Sequence, residues 1–315
     1  MKTIVQTITL KSDQHYGRKA PPGPLGELLR ELPHAVRQSI RMAFTGRSRS
    51  RGKSPAWLLA ASDIRLVDYS GNDETVLHFE VPPLGEAAAE LYQQQELWPT
   101  KPDANDTGFD TLADVICDVA ANNLDSDKFD RPLLGRLIRF RKTVHEAFQE
   151  ISITGNRYTP DHPCVLNESI IETAKCLYSN TPPSQQTRVV GNLDMIRAST
   201  QTFALKLDDG EEIRGVLVAG EFGELTNLFQ NRVMVLGKAI YRASGRLLRI
   251  DADEVTPASD EDRFFSTVPQ PTRQKLDVRQ VLREQQHKKG LAAIFGKWPG
   301  DETEEEIEQA LQELS

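Results

Sequence analysis

Apolar and polar residues alternate through the second half of the chain, from residue 188 to about residue 256. Five segments there follow the period of two that is typical of strands, and they are RVVGNLDMIR, TFALKLDDG, EEIRGVLV, RVMVLGKAIYR and RLLRIDADEV. A short helix, ELTNLFQ, separates the third from the fourth. Asp209-Gly210 is a strong hairpin signal, and Gly191, Gly215 and Gly237 fall inside strands, where a small barrel needs kinks. The order β-β-β-α-β-β predicts a five-stranded barrel of the OB type.

Helix and strand signals are mixed in the first 183 residues, without the regular alternation of a doubly wound sheet. MKTIVQTITLK predicts a first strand, and DIRLVDYS with TVLHFEV predicts a hairpin around the turn GND. A helix is predicted from Pro24, a second helix restarts at Pro33, and Ser54-Pro55 is predicted to open a third, AWLLAA. Four further segments predict helices, namely LGEAAAELYQQQELW, FDTLADVICDVAANN, PLLGRLIRFRKTVHEAFQ and LNESIIETAKCLY.

The predicted fold class is therefore α+β, with an N-terminal mixed domain, a small five-stranded OB-like β-barrel and a helical C-terminal tail. The Pro- and Gln-containing stretch SNTPPSQQ is predicted to be the domain boundary. The predicted segments are an α+β domain at 1–183, the OB-like barrel at 184–258, a linker with a basic helix at 259–290 and a partner-binding acidic tail at 291–315.

The composition is that of an ordinary globular chain, with 38% hydrophobic and 27% charged residues among 315. No apolar run approaches the roughly 18 residues that a bilayer span needs, so no membrane association is predicted. The first residues lack the continuous apolar region of a secretory signal, and a cytoplasmic location is expected. The three cysteines, Cys117, Cys164 and Cys176, fit neither a disulfide framework nor a CxxC metal site. They are predicted to be reduced and mostly buried.

The net charge of -8 hides a strong segregation of charge along the chain. Residues 34–53 hold six Lys or Arg and no acid, whereas residues 188–254 hold nine bases and ten acids. Guanidinium groups on a flexible loop can follow phosphates, and exposed aromatic rings on a barrel can stack on bases. The candidate nucleic-acid-binding residues are Arg37, Arg41, Arg47, Arg49, Arg51, Lys53, Arg214, Tyr241, Arg242 and Arg246, with Phe203 as a second ring. A solvated loop and a protein-contact role for the barrel are the alternatives.

Acidic and metal-ligating residues occur in three clusters. The run from Asp103 to Asp114 has the oxygen spacing of a calcium loop, but Asp110 stands where a hydrophobic residue is expected, and a helix capped by Asx or Thr is favoured. The cluster ending at Asp130 is predicted to cap the next helix. His162 and Cys164 could contribute to zinc binding or to a nucleophile pair, without specificity. No hydrolase, nucleotide-binding or metalloprotease motif is present, so the chain is predicted not to be an enzyme and no catalytic residue, metal or cofactor is assigned.

The last 25 residues contain two short amphipathic pieces joined by the helix-breaking sequence GKWPG. Thr303 with Glu306 forms a capping box that opens the second, very acidic piece. Such pieces cannot bury their apolar faces alone, and they fit the groove of a partner. The predicted partner-binding residues are Leu291, Ile294, Phe295, Lys297, Trp298, Pro299, Asp301, Ile307 and Leu311. A disordered acidic tail is the alternative, but it would need neither the tryptophan nor the apolar spacing.

The segment IFGKWPGDETEEEIEQALQEL resembles the C-terminal tail of bacterial antitoxins encoded beside PIN-domain ribonuclease toxins. Their tails often have the pattern G-x-W-P-G-D-E-[ST] followed by an acidic helix, and the matching residues here are Gly296, Trp298, Pro299, Gly300, Asp301 and Glu302. The resemblance implies a tail that wraps the nuclease and blocks its acidic, metal-binding centre. It also implies that Trp298 is the buried anchor and that Lys297 is the cation closest to the toxin's carboxylates. Those antitoxins are usually short, so the domains ahead of the tail lie outside the resemblance.

Two functions are therefore expected from the sequence. The first is an antitoxin-like regulatory protein that binds and neutralises a PIN-type nuclease through its tail. The alternative is a nucleic-acid-binding accessory protein that uses the arginine-rich loop and the barrel and recruits an effector through the tail. No oligomeric state is predicted.

Overall fold

The computed structural model describes residues 2–50, 52–93, 101–219 and 222–272. Contacts within Met1–Thr272 define one compact unit. Arg51, the predicted basic helix and the predicted partner-binding tail lie outside the described residues. Within the described ranges, no helix has the length and apolar character required to cross a bilayer.

An antiparallel sheet with the strand order β2-β3-β1-β4-β5 forms the N-terminal part. Its strands are β1 (Ile4–Lys11), β2 (Arg65–Ser70), β3 (Thr75–Val81), β4 (Glu150–Ile153) and β5 (Cys164–Asn167). The predicted first strand is confirmed, and it lies at the centre because it pairs with β3 on one side and with β4 on the other. The predicted β2-β3 hairpin is also confirmed. Strands β4 and β5 were not predicted from the sequence.

Helices cover the sheet and supply most of the N-terminal core. They are α1 (Pro22–Thr45), α2 (Ala56–Ala61), α3 (Leu84–Ala87), α4 (Ala89–Tyr92), α5 (Gly108–Ala120), α6 (Arg131–Leu137), α7 (Arg141–Glu146) and α8 (Glu168–Asn180). The prediction of two helices divided at Pro33 is wrong, since α1 is continuous through that residue. Proline removes one helical hydrogen bond, but Leu28, Leu32, Val36 and Ile40 form one fully buried stripe across it. Burial of that stripe outweighs the lost bond.

Three other helix predictions need correction. The segment PLLGRLIRFRKTVHEAFQ is not one helix, because a tighter 3₁₀ turn at Ile138–Phe140 separates α6 from α7. The described part of LGEAAAELYQQQELW forms α3 and α4, with a non-helical Ala88 between them. Ser54 does not cap α2, since Pro55 occupies the N-cap and the Ser54 hydroxyl accepts a hydrogen bond from Arg41 at 2.9 Å.

A closed five-stranded barrel follows, as the alternating pattern predicts. Its strands are β6 (Gln185–Arg197), β7 (Thr202–Lys206), β8 (Glu212–Leu217), β9 (Arg232–Tyr241) and β10 (Leu247–Pro257), with the helix α9 (Phe222–Asn227) between β8 and β9. The circular order β10-β8-β7-β6-β9 is compatible with an OB-like fold, and only the closing pair, β8 with β10, is parallel among these strands. At Gly237 a Cβ would lie 2.2 Å from the Asp251 carbonyl oxygen, so this pairing requires glycine.

Two clusters of buried side chains result. The barrel interior is filled by residues such as Phe203 and Ile250. The larger cluster lies between the N-terminal sheet and its helices, and it also includes Ala243 and Leu248 from the β9-β10 hairpin. The hairpin therefore joins the barrel to the N-terminal core.

Candidate functional site

A cleft of about 760 Å³ lies between the N-terminal part and the outer face of the barrel. One wall is formed by the C-terminal end of α1 and by α5, and the other wall by β6, β7 and β8. Its lining residues include Phe44, Asp114, Arg157, Phe203, Arg214 and Arg249. A volume of this size is sufficient for a small molecule or a short segment of an extended chain.

The barrel wall of the cleft is built on the alternation of strand β8. Glu212 and Arg214 are exposed on its outer side, while Ile213 is buried in the barrel. Gly215 allows the fully buried ring of Phe203 to lie against β8, because a Cβ at Gly215 would be 2.1 Å from that ring. The wall therefore presents charged side chains to the cleft, and the Phe203 ring lies behind them inside the barrel.

Arg157 organises the opposite wall. Its guanidinium group binds Asp114 at 2.6 Å and Asp106 at 3.0 Å, and its backbone N–H donates to Asp110 at 2.8 Å. Burial raises the pKa of Asp106, although the positive charge of Arg157 opposes this shift. The carboxylates of Asp114 and Asp106 in turn raise the pKa of Arg157. The predicted capping of α5 is confirmed, since Thr107 and Asp110 form a capping box. The acids of the calcium-like run are thus bonded to other groups of this protein.

A second buried network connects the arginine-rich loop to the barrel. Asp130 caps α6 through the Leu133 N–H at 3.2 Å, as the sequence predicts, and it also accepts hydrogen bonds from the backbone and hydroxyl of Ser48. Arg249 on β10 binds Asp130 at 3.2 Å and Asp251 at 2.7 Å. The remaining Arg249 nitrogen, Nη1, is buried without a hydrogen-bond partner among the described residues.

Among the predicted nucleic-acid-binding residues, Arg41 is buried, and Arg37 and Arg47 are half-buried. Arg41 is 8% exposed, and Arg37 donates to the Ser62 hydroxyl at 3.0 Å. Burial lowers the pKa of both Arg41 and Arg47. To contact a nucleic acid, Arg37, Arg41 and Arg47 would have to leave their present contacts within the protein.

The two aromatic candidates also lie inside the protein. Tyr241 is 1% exposed and its hydroxyl is hydrogen-bonded to Gln185, while Phe203 is fully buried. In this conformation neither ring presents a face on which a base could stack.

The exposed candidates are Arg49, Lys53, Arg214 and Arg246, and Arg242 is half-buried. Arg214 lies 3.8 Å from Asp127, and Arg246 lies 3.9 Å from Asp125. The structure thus leaves basic side chains on both the arginine-rich loop and the barrel, with the barrel ones close to acids.

The cysteines differ from their predicted environment. Cys164 is buried, as predicted, but Cys117 and Cys176 are exposed. Cys117 and Cys164 lie 3.9 Å apart, measured between their sulfurs, beside Tyr158. The two cysteines are 47 positions apart in the sequence, and no local pattern indicated this proximity. In the ranges that the structure describes, no group of three or more His, Cys, Asp or Glu is arranged to hold a metal ion.

No protein-family model matches the chain, and no curated protein or solved structure matches it. The resemblance to antitoxin tails therefore depends only on residues 291–315.

Proposed function

We propose that this protein is a regulator that binds and neutralises a PIN-type ribonuclease through residues 291–315. The observation that carries the proposal is the sequence Gly296–Glu302, in which a tryptophan and a Pro-Gly pair precede a run of acids. The 1–272 unit, with its barrel and cleft, then has a separate binding role.

The chemistry of the segment supports inhibition as well as binding. Tryptophan is the side chain that most often carries a large share of interface energy, so Trp298 is assigned as the anchor. The adjacent Lys297 brings a positive charge to a site whose carboxylates would otherwise hold divalent cations. Such a contact both tightens the complex and opposes metal-dependent cleavage.

The test uses the full-length chain and the ribonuclease encoded beside its gene. Trp298→Ala is expected to weaken the complex at least 30-fold, which corresponds to the roughly 2 kcal/mol of a strong anchor, and to restore RNA cleavage in Mg²⁺ buffer. Gln309→Ala is the matched control in the same segment and should leave affinity within threefold. Wild-type affinity and full inhibition with Trp298→Ala would reject the proposal.

A second candidate function, nucleic-acid binding, is favoured by one observation. Asp130 ties Ser48 of the arginine-rich loop to Arg249 of the barrel, so the loop is held beside the barrel. Arg49 and Lys53 are exposed on that loop. Phosphate contacts from these two side chains would act in addition to any contact made by the barrel.

Salt dependence distinguishes this candidate. Binding to a fluorescent single strand should weaken as salt rises, and the Arg49→Ala/Lys53→Ala variant should reduce the slope of log affinity against log salt by about 1.4. Arg65→Ala, an exposed arginine on β2, is the control and should not change the slope. Absence of binding in low salt would exclude this function.

A further inference from the structure

Two cysteines from separate elements meet beside α5. Cys117 is exposed on that helix, and Cys164 is 3% exposed at the start of β5. Their sulfurs are 3.9 Å apart, so a disulfide bond requires an approach of about 2 Å. Because α5 packs against β5, the two cysteines lie on neighbouring elements of the fold.

The surroundings make the two thiols unequal. A hydrogen bond from Cys164 lowers the pKa of Cys117 to about 6 against the opposing effects of burial and Asp114. The nearby Tyr158 hydroxyl, which donates to Asp114 at 2.8 Å, adds to this lowering of the pKa. Lys128 adds a small favourable charge, although its ammonium group also binds Asp118 at 3.2 Å. Contact with Cys117 and burial raise the pKa of Cys164. The surroundings therefore favour the thiolate at the exposed Cys117 and the thiol at the buried Cys164.

We propose that Cys117 and Cys164 form a reversible, peroxide-sensitive disulfide pair, in which Cys117 reacts first and Cys164 resolves the product. The exposure of Cys117 allows the oxidant to reach it, and the position of Cys164 behind it favours an intramolecular second step. Cys176, which is exposed on α8, has no part in the pair.

The chemistry balances with hydrogen peroxide as the oxidant. The Cys117 thiolate attacks one peroxide oxygen, the O–O bond breaks, and the released hydroxide takes a proton to become water. Cys164 then loses its proton as its sulfur attacks the Cys117 sulfenic acid, and the S–O bond breaks with loss of a second water. The two thiols supply the two electrons. A dithiol reductant then reduces the disulfide by thiol–disulfide exchange and regenerates both thiols.

The disulfide would also affect the cleft. Cys117 lies on the same helix as Asp114, which binds Arg157 and lines the cleft. A covalent link from α5 to β5 would restrain this wall. The proposed pair is independent of the ribonuclease and of residues 291–315.

The first experiment treats the full-length chain with hydrogen peroxide, blocks free thiols and identifies linked tryptic peptides by mass spectrometry. We expect a Cys117–Cys164 peptide that dithiothreitol removes and that forms equally in the matched control Cys176→Ser. In Cys164→Ala, dimedone should instead trap the sulfenic acid of Cys117. Dimedone labelling of Cys117 in the wild type without any linked peptide, or a link to Cys176, would overturn the proposal.

The second experiment measures which sulfur reacts first. At pH 6 iodoacetamide should alkylate Cys117 about tenfold faster than an unperturbed peptide thiol, because the larger thiolate fraction exceeds the loss of nucleophilicity. The midpoint of the pH profile should move upward in Tyr158→Phe. A midpoint for Cys117 above pH 8 in the wild type would refute its role as the first site of attack.

Discussion

Replacement of Asp130 by alanine tests whether the buried network stabilises the joined unit. Asp130 is 2% exposed and combines three tasks, because it caps α6, binds Ser48 and neutralises Arg249. The Asp130→Ala change removes all three at once. It leaves the guanidinium group of Arg249, which is 7% exposed, with Asp251 as its remaining acidic partner among the described residues.

The expected loss follows from these contacts. Removal of one member of a buried ion pair costs about 3 to 5 kcal/mol, and the lower end applies because Asp251 still binds Arg249. The lost helix cap adds about 1 kcal/mol. A total of about 4 kcal/mol is a large part of the stability of an ordinary protein, which is roughly 5 to 15 kcal/mol.

Urea denaturation followed by circular dichroism measures this loss. In a double-mutant cycle, Arg249→Met should recover about 2 kcal/mol in the Asp130→Ala background, because it removes the poorly paired buried charge. Asp127→Ala is the control, since this exposed acid is 3.8 Å from an exposed arginine and should change stability by less than about 0.5 kcal/mol. If Asp130→Ala lowers the free energy of unfolding no more than the control does, or if the two changes of the cycle are additive, the buried network does not stabilise the unit as described.

Two further predictions concern the barrel and the acid stability of the N-terminal part. Gly215→Ala should destabilise the protein by about 1 to 3 kcal/mol, because the new methyl group would clash with the buried Phe203 ring. The same change at Gly223 in α9 should be neutral or slightly stabilising, because a Cβ there would meet no described residue outside its own helix turn within 4 Å. Equal effects of the two changes in thermal unfolding would contradict this. Burial alone would raise the pKa of Glu31, but its bond to Arg136 and nearby positive charges hold that pKa below the ordinary value. The ionised carboxylate therefore stabilises the fold above the unfolded pKa, and this contribution is lost as the pH falls below about 4 through the folded pKa. Glu31→Gln should weaken the pH dependence of the unfolding free energy between pH 5 and pH 3, and an unchanged dependence would disprove the assignment.

The elements predicted correctly from the sequence are those whose signal is local. Period-two patterns and the Asp209-Gly210 turn identify the barrel strands. Thr107 and Asp130 mark the starts of α5 and α6, which they cap. The four-residue strands β4 and β5 carry too short a pattern to be distinguished from loop. β4 is a strand because β1, which is distant in the sequence, supplies its pairing edge, and β5 in turn pairs with β4.

The site depends more strongly on distant residues. Arg249 and Asp130 are 119 residues apart, and Arg157 and Asp114 are 43 apart, so neither pair forms a motif. The expectation of exposed aromatic rings failed for a different reason. Tyr241 belongs to the buried set of strand β9, together with Val233 and Val235, so the period of two along this strand already indicated a buried ring.

The β9-β10 hairpin has a consequence for how the protein can be divided. Its residues Ala243 and Leu248 are part of the N-terminal core, while the strands that bear them close the barrel. A barrel fragment prepared alone would present these apolar side chains to solvent, together with an Arg249 that has lost Asp130 and keeps Asp251. The N-terminal fragment would have an exposed apolar cavity at the place that Ala243 and Leu248 of the hairpin fill in the intact protein. We therefore expect the two fragments to associate when mixed and to be protected together from proteolysis, as halves of one cooperative structure.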